Sequence, residues 1–444
     1  MKVKNRVASV HVVADDSAVV SRVGAALVSQ LADRVGLTQA WSAAMAPTRS
    51  RDRGHDPGHV LRDLAVMLAD GGEFVSDIAT LREQPALFGQ VASPTTAWRC
   101  VRSVDSNVLA RLRAARARTR QRVWKRTGIS TLTIVDVDCT MITSHSDAKE
   151  GAAGTFKGGF GFHPVLAFLD ATGEALASIL RPGNASAWSA SDLNDCVDLA
   201  LDQLTDDMRR GALIRGDSAC ASSEFIDHVV GQGCRFSVSF PVRFLLSQIG
   251  DLAPAAWQPA VDSDGEPVEF AQVAEVPTSA LSKHMREKWP EGSRFIVRRE
   301  RAHAGAQLTM LDHEGNRLQI VFTNQPDADI AMLDARHRMR GRCEQQIEQL
   351  QQTGLAKLPF GSFAANQTWC ELALAAHDLL IWTRRLLLDD EFANVQVKRL
   401  RYCILHAAGR LTRHARRLTL HLPRRWPWTI PIERAHQRLA ALAV

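Results

Sequence analysis

Two short β-branched runs that each end on aspartate constrain this chain more than any other feature. Residues 131–138 (TLTIVDVD) and 213–217 (LIRGD) are apolar and brief, which predicts two strands. Asp136 and Asp138 fall two apart in the first, and alternate residues of a strand share a face. Like charges a few ångströms apart resist joint ionisation, so such a face calls for a cation. Strand-end carboxylates also occur in plain exposed turns, and Asp217, followed by Ser218, fits helix capping as well.

The intervening and following segments predict a layered α/β fold. Residues 165–170 and 175–181 flank a turn at Ala171–Gly173 and read as a hairpin. Residues 191–203 and 222–230 carry helical spacing, and 236–240 reads as a further strand. Strand, hairpin, helix, strand, helix, strand predicts a mixed sheet with helices on its faces. Four more strands, at 268–273, 295–299, 307–311 and 318–322, suggest a β-rich subdomain inserted after that core. Helix returns at Ile330 and runs to about Leu388, broken near 359–363.

Upstream, residues from about 17 to 128 read as helical. Ser93 and Pro94 form a helix start, with serine as cap and proline at the first helical position. The helix they begin carries Trp98, Arg99 and Arg102, which suits either a helix-turn-helix reader of DNA or an ordinary helical pair. At 444 residues the chain should divide into several parts. The expected division is 1–128 (helical, DNA-binding or oligomerising), 129–245 (first part of the core), 246–326 (β-rich insertion), 327–390 (helical remainder of the core) and 391–444 (basic tail).

Charge narrows the function. The net charge is only +6, but it is unevenly spread. Residues 107–128 hold eight arginines and lysines and no acid, and the segment from Lys398 onward is similarly basic. Such blocks suit a polyanion or a solvated helix face; two of them flanking a carboxylate-bearing centre favour nucleic acid. The eight cysteines are scattered with no C-x-x-C pair, which speaks against a zinc cluster or disulfide framework. With no signal peptide and no apolar run of roughly 20 residues, a cytoplasmic protein without a membrane partner is expected.

A third carboxylate completes the pattern. Glu344 sits on an expected helix with Arg340 four residues before it and Glu348 four after. By itself this is a surface ion pair worth ~0.3–0.5 kcal/mol. Together with two strand aspartates and a β-rich insertion, it resembles the DDE transposases of bacterial insertion sequences, most closely the insertion sequence 1380 group, related to the insertion sequence 4 group. Residues 51–89 (from RDRGHDP to ALFG), 134–140 (IVDVDCT), 157–166 (KGGFGFHPVL), 181–184 (RPGN) and 213–219 (LIRGDSA) carry the likeness. In IVDVDCT the aspartate two before threonine matches the catalytic one, which selects Asp138 over Asp136. The relatives' third motif pairs tyrosine, arginine, glutamate and lysine; here that register holds His337, Arg340, Glu344 and Gln351, so the outer two positions depart from it.

The resemblance implies a ribonuclease-H-like catalytic core. Asp138, Asp217 and Glu344 would be catalytic and would bind two Mg²⁺ ions, with Mn²⁺ as substitute. It further implies metal-dependent cleavage of element ends and strand transfer into target DNA by a cut-and-paste route. Arg340, Arg99 and Arg102 are the expected DNA contacts. The partners would be double-stranded DNA, as terminal inverted repeats and target, and a second copy in a homodimer on DNA, in a bacterial, nucleoid-associated setting. A hairpin route would call for a base-stacking aromatic, for which Trp188, Trp257 and Trp289 are available. His163 and Lys157 lie in or beside a Gly-rich stretch that would adjoin the site or simply pack. Two other classes remain open at this level: a structure-selective ribonuclease-H-like metal nuclease, and a catalytically inactive DNA-binding descendant of a transposase.

Overall fold

The computed structural model describes residues 18–49, 54–129, 132–301, 315–415 and 417–442. The strand expected at 307–311 and Arg51–Arg53 of the first resembling stretch lie outside these residues. The N-terminal part comprises β1 (Val19–Val20), α1 (Val23–Arg34), α2 (Leu37–Ala44), α3 (Pro57–Asp70), α4 (Pro94–Arg102) and α5 (Ser106–Thr127). Ser93 caps α4 as expected, its hydroxyl accepting from the Thr96 amide with Pro94 at the first position.

The core follows with β2 (Ile134–Cys139), β3 (Val165–Leu169), β4 (Ala175–Ile179), α6 (Ala190–Leu201), β5 (Leu213–Gly216), α7 (Ser223–Gly231) and β6 (Arg235–Phe240). Next come β7 (Gln258–Val261), β8 (Pro267–Val276), β9 (Arg294–Arg301) and β10 (Asn316–Thr323). All these strands join one nine-stranded mixed sheet in the order β7-β8-β9-β10-β6-β5-β2-β3-β4. β2, β5 and β6 are parallel, and the other pairings are antiparallel. The strands within the expected insertion therefore lengthen the core sheet: β10 pairs with β6 through Ile320 and Phe240, and through Thr323 and Ser237. Sequence cannot foresee this, because the open edge of β6 is a property of the assembled sheet.

Burial explains the composition of the strands. Val165, Ala167 and Leu169 of β3 pack toward α6, while Leu166 and Phe168 pack into the core on the opposite face. Covered on both sides, β3 is apolar at every position. β2 alternates instead: Val135 and Val137 join the α6 and α7 side, which turns Asp136 and Asp138 the other way. That other face is covered by α8 (Ile330–Arg338), α9 (Gly341–Leu350) and α10 (Phe363–Leu387).

The almost wholly buried α10 ties the two ends of the chain together. One hydrophobic cluster unites it with α1, α3 and the segment after Leu388. That last segment forms β11 (Gly409–His414), β12 (Arg417–His421) and α11 (Thr429–Ala441), and β1 pairs with β11. At Gly24 in α1 a Cβ would stand 2.3 Å from the Ile404 carbonyl oxygen, so only glycine allows this approach. Among the described residues no helix is long and apolar enough to cross a membrane.

The basic run of α5 divides between surface and core. Arg111 and Arg118 are exposed, whereas Arg116 and Arg120 are fully buried. Arg116 donates to Glu371 at 2.6 Å and to Asp378 at 2.8 Å, and Arg120 donates to Asp378 and Gln203. These two arginines hold α5 against α10 and β4 and are unavailable to DNA.

Candidate active site

The site begins with the register of two parallel strands. Ile134 stands beside Leu213, Val135 beside Ile214 and Asp136 beside Arg215. The same offset carried two residues on sets Asp138 beside Asp217, just past the end of β5. In parallel α/β sheets, functional groups collect at such carboxyl ends. Asp217 also caps a short turn, its Oδ1 accepting from the Ala219 amide at 2.9 Å. Ser222 caps α7 itself, by accepting from Phe225 N. Asp217 is thus not needed for the helix.

Asp136 and Asp138 share a face but not an environment. Arg215 grips Asp136 with two hydrogen bonds of 2.7 and 2.8 Å and donates to Asp170 at 2.7 Å. Both Asp136 and Arg215 are buried. Bidentate pairing of this kind satisfies the carboxylate and fixes its geometry. Arg215 is not among the residues the motifs single out, although a lone charge inside an apolar strand (LIRGD) is a visible signal.

Asp138 faces the junction of α8 and α9 instead. Arg340, at the N-cap of α9, reaches its Oδ2 at 2.9 Å, and both side chains are 15% exposed. Burial pushes the Asp138 carboxyl above the ordinary carboxylate range; Arg340 pulls it down, and the charges of Asp217 and Glu344 push it up again. Glu344 lies one turn along α9, exposed, and Arg340 pairs with Asp138 rather than with it. Asp138, Asp217, Glu344 and Arg340 are therefore brought into one electrostatic neighbourhood.

The two departures from the third motif have structural occupations. His337 is buried with its ring nitrogens 3.0 and 3.1 Å from the Ser237 and Ser239 hydroxyls. Burial lowers its pKa to about 3, so it is a neutral link between α8 and β6. Gln351 donates to the Thr140 hydroxyl at 3.0 Å, joining the end of α9 to the end of β2.

A cleft of about 740 Å³ opens beside this junction, lined by Trp188, Ser218, Arg243, Arg338, Arg340 and Glu344 among others. Trp188 is half exposed there, whereas Trp289 is buried in the aromatic core and Trp257 carries Arg299 over its ring. His163 is buried and bonded to the Ala185 carbonyl, and Lys157 lies over Phe156; neither lines the cleft. Arg99 and Arg102 lie elsewhere, on the exposed side of α4, with Arg102 stacked 4.4 Å above Trp98.

Three carboxylates offer the hard oxygen donors that Mg²⁺ prefers, and their mutual repulsion favours a cation. Among the described residues, no three His, Cys, Asp or Glu side chains come together in an arrangement that could hold a metal ion as they stand. The donor set suits a cation that keeps several waters or phosphate oxygens of its own.

A family model described as "Transposase DDE domain group 1" matches residues 3–444. No curated protein matches the chain. Among solved structures, a cryo-EM structure of a piggyBac transposase synaptic complex with hairpin DNA shows 8% identity and a TM-score of 0.40, covering 86% of this chain and 79% of that one. With the family model spanning nearly every residue, the chain belongs to the transposase DDE domain group 1 family and is a DNA transposase.

Proposed function

We propose that this transposase cuts the ends of its element and joins the freed 3′-hydroxyls to target DNA, with Asp138, Asp217 and Glu344 as its catalytic carboxylates. The reading is supported by the β2–β5 register, whose offset carried two residues past its last pair brings Asp138 level with Asp217, and by the charge of Glu344 acting on Asp138 from α9. The engagement of Asp136 by Arg215 supports Asp138 as the first catalytic aspartate. The sub-order β4-β3-β2-β5-β6, antiparallel then parallel, supports a ribonuclease-H-like core across 129–245 and 327–390.

Two Mg²⁺ ions, with Mn²⁺ as substitute, would supply activation of the attacking oxygen and stabilisation of the leaving one when held by the three carboxylates. Arg340 presents a fork of donors suited to a phosphate on the scissile strand. The exposed Arg99 and Arg102, within the helical 1–128 region, contact the terminal inverted repeats, and arginines of 391–444 add phosphate contacts. Because two element ends must be brought together, two copies act on DNA as a homodimer, as expected of a member of the insertion sequence 1380 group at a bacterial nucleoid.

The test compares the parent with Asp217→Ala on labelled element ends and a target plasmid, in Mg²⁺ or EDTA. Metal-dependent joined products from the parent alone are expected. Cleavage without joining would replace this reading with a nuclease, and DNA binding without either product would replace it with an inactive descendant.

A further inference from the structure

An aromatic cluster far along the chain from the three carboxylates is not used by the mechanism above. Tyr402, the only tyrosine of the protein, packs edge-on against Trp426 and Trp428, with centroids 5.8 and 5.5 Å away. The two tryptophans are themselves T-shaped at 5.1 Å. Aromatic groups of this size usually pack inward, yet Tyr402 is 60% exposed. Both tryptophans come from the loop between β12 and α11, which is pinned from within. Trp426 Nε1 donates to the Cys403 carbonyl at 3.1 Å, and Thr429 donates to the Pro423 carbonyl at 2.7 Å. The rings are thus held in place before any ligand arrives.

Cations surround this platform. Arg399 lies 6.0 Å over the Trp428 ring, and Arg424 and Arg425 are exposed on the same loop. None of these three arginines makes an ion pair among the described residues. Trp426 and Trp428 are half-buried against the hydrophobic core, and the exposed Tyr402 ring they support, beside these guanidinium groups, matches a chain of flat bases linked by phosphates. Duplex DNA shields its bases within the stack, so the fit is to unpaired nucleotides.

We propose that Tyr402, Trp426 and Trp428, with Arg399, Arg424 and Arg425, form a binding site for single-stranded DNA. The proposal takes its ligand class from the DNA-directed reading above but requires none of the three carboxylates. The cluster stacks unpaired bases while the arginines hold the flanking phosphates.

Anisotropy of a labelled oligothymidylate, measured in EDTA, tests this without any metal-dependent step. Tyr402→Ala should weaken oligothymidylate binding by about tenfold, as expected for loss of one stacking partner. Tyr402→Phe, which keeps the ring, should bind like the parent. Competition by inorganic polyphosphate, which has charge but no bases, should be equal for the parent and Tyr402→Ala. Unchanged oligothymidylate affinity in Tyr402→Ala would overturn the proposal, as would an equal loss of polyphosphate binding. Either failure leaves the cutting and joining assay unaffected, so the two readings fall separately.

Discussion

Two clusters of charge, one buried under α5 and α10 and one where α8 meets α9, differ in how far water reaches them. Under α5 and α10, Arg116 and Arg120, with Arg113 at 3.5 Å from Glu371, meet Glu174, Glu371 and Asp378. Two tryptophans complete that network, the Trp124 and Trp382 indoles each donating to Glu174 at 2.6 Å. Where α8 meets α9, Arg340 pairs with Asp138 and also feels the charge of Asp217, while Glu344 stands exposed one turn further along α9. A buried charge must find compensation, and in the first cluster each charged group has an opposite charge of the protein beside it. The second reaches water: Glu344 is exposed and the adjoining cleft is lined by Arg243, Arg338 and Arg340, which is where a ligand cation and phosphates would enter. Access to water, rather than charge content, separates scaffold from candidate site.

The largest expected effect would break that comparison if reversed. Arg116→Ala takes a buried cation from Glu371 and Asp378, leaving them only Arg113 and Arg120, and should cost about 3–5 kcal/mol of stability, measured by urea unfolding. Arg340→Gln, at a site more open to water, should cost clearly less while abolishing joined products in the transposition assay. Equal destabilisation by both substitutions would show that the cleft is scaffold too.

A middle-sized effect sharpens the contrast through acid. His337 beside the cleft and His377 beside the network are both held neutral by burial, with pKa values lowered to about 3 and about 4. The unfolded chain binds these protons near pH 6.5, so it takes up more protons than the folded chain as pH falls. Each histidine therefore removes about 1.4 kcal/mol per pH unit below about pH 6.5, continuing toward its own folded value. Replacing His337 with Asn should flatten the stability curve between neutral pH and pH 5, measured by denaturant midpoints at each pH. An unchanged slope would mean that its ring is charged in the folded protein.

The smallest effect concerns the surface. Arg99→Ala and Arg102→Ala should leave stability unchanged and weaken binding to element ends. Each should lower the slope of log affinity against log salt by about one. An unaltered slope would remove α4 from the DNA-facing surface.

Much of this was legible in the strands themselves. Alternation in IVDVDC fixed which side chains share a face, and the Ser93–Pro94 pair fixed where α4 begins, because both signals act within a few residues. The pairing of Glu344 with two strand aspartates was legible only through motif spacing and resemblance, since some 127 residues separate it from Asp217. The fate of the basic run in α5 was not legible at all. Arg116 and Arg118 are alike in sequence, yet one is wholly buried and the other exposed, according to which side of the helix meets α10.

By itself, then, the sequence determined local periodicity, the caps, and the two aspartate-tipped strands, all consequences of short-range sterics and hydrogen bonding. Tertiary structure alone decided that Arg215 would take Asp136 and leave Asp138 to the cleft, and that the strands after β6 would extend its sheet. It also decided that the arginines of α5 would serve the core. Those outcomes depend on which charges become neighbours once water is excluded, and neighbours distant in the chain are chosen only when the whole sheet and its helices close.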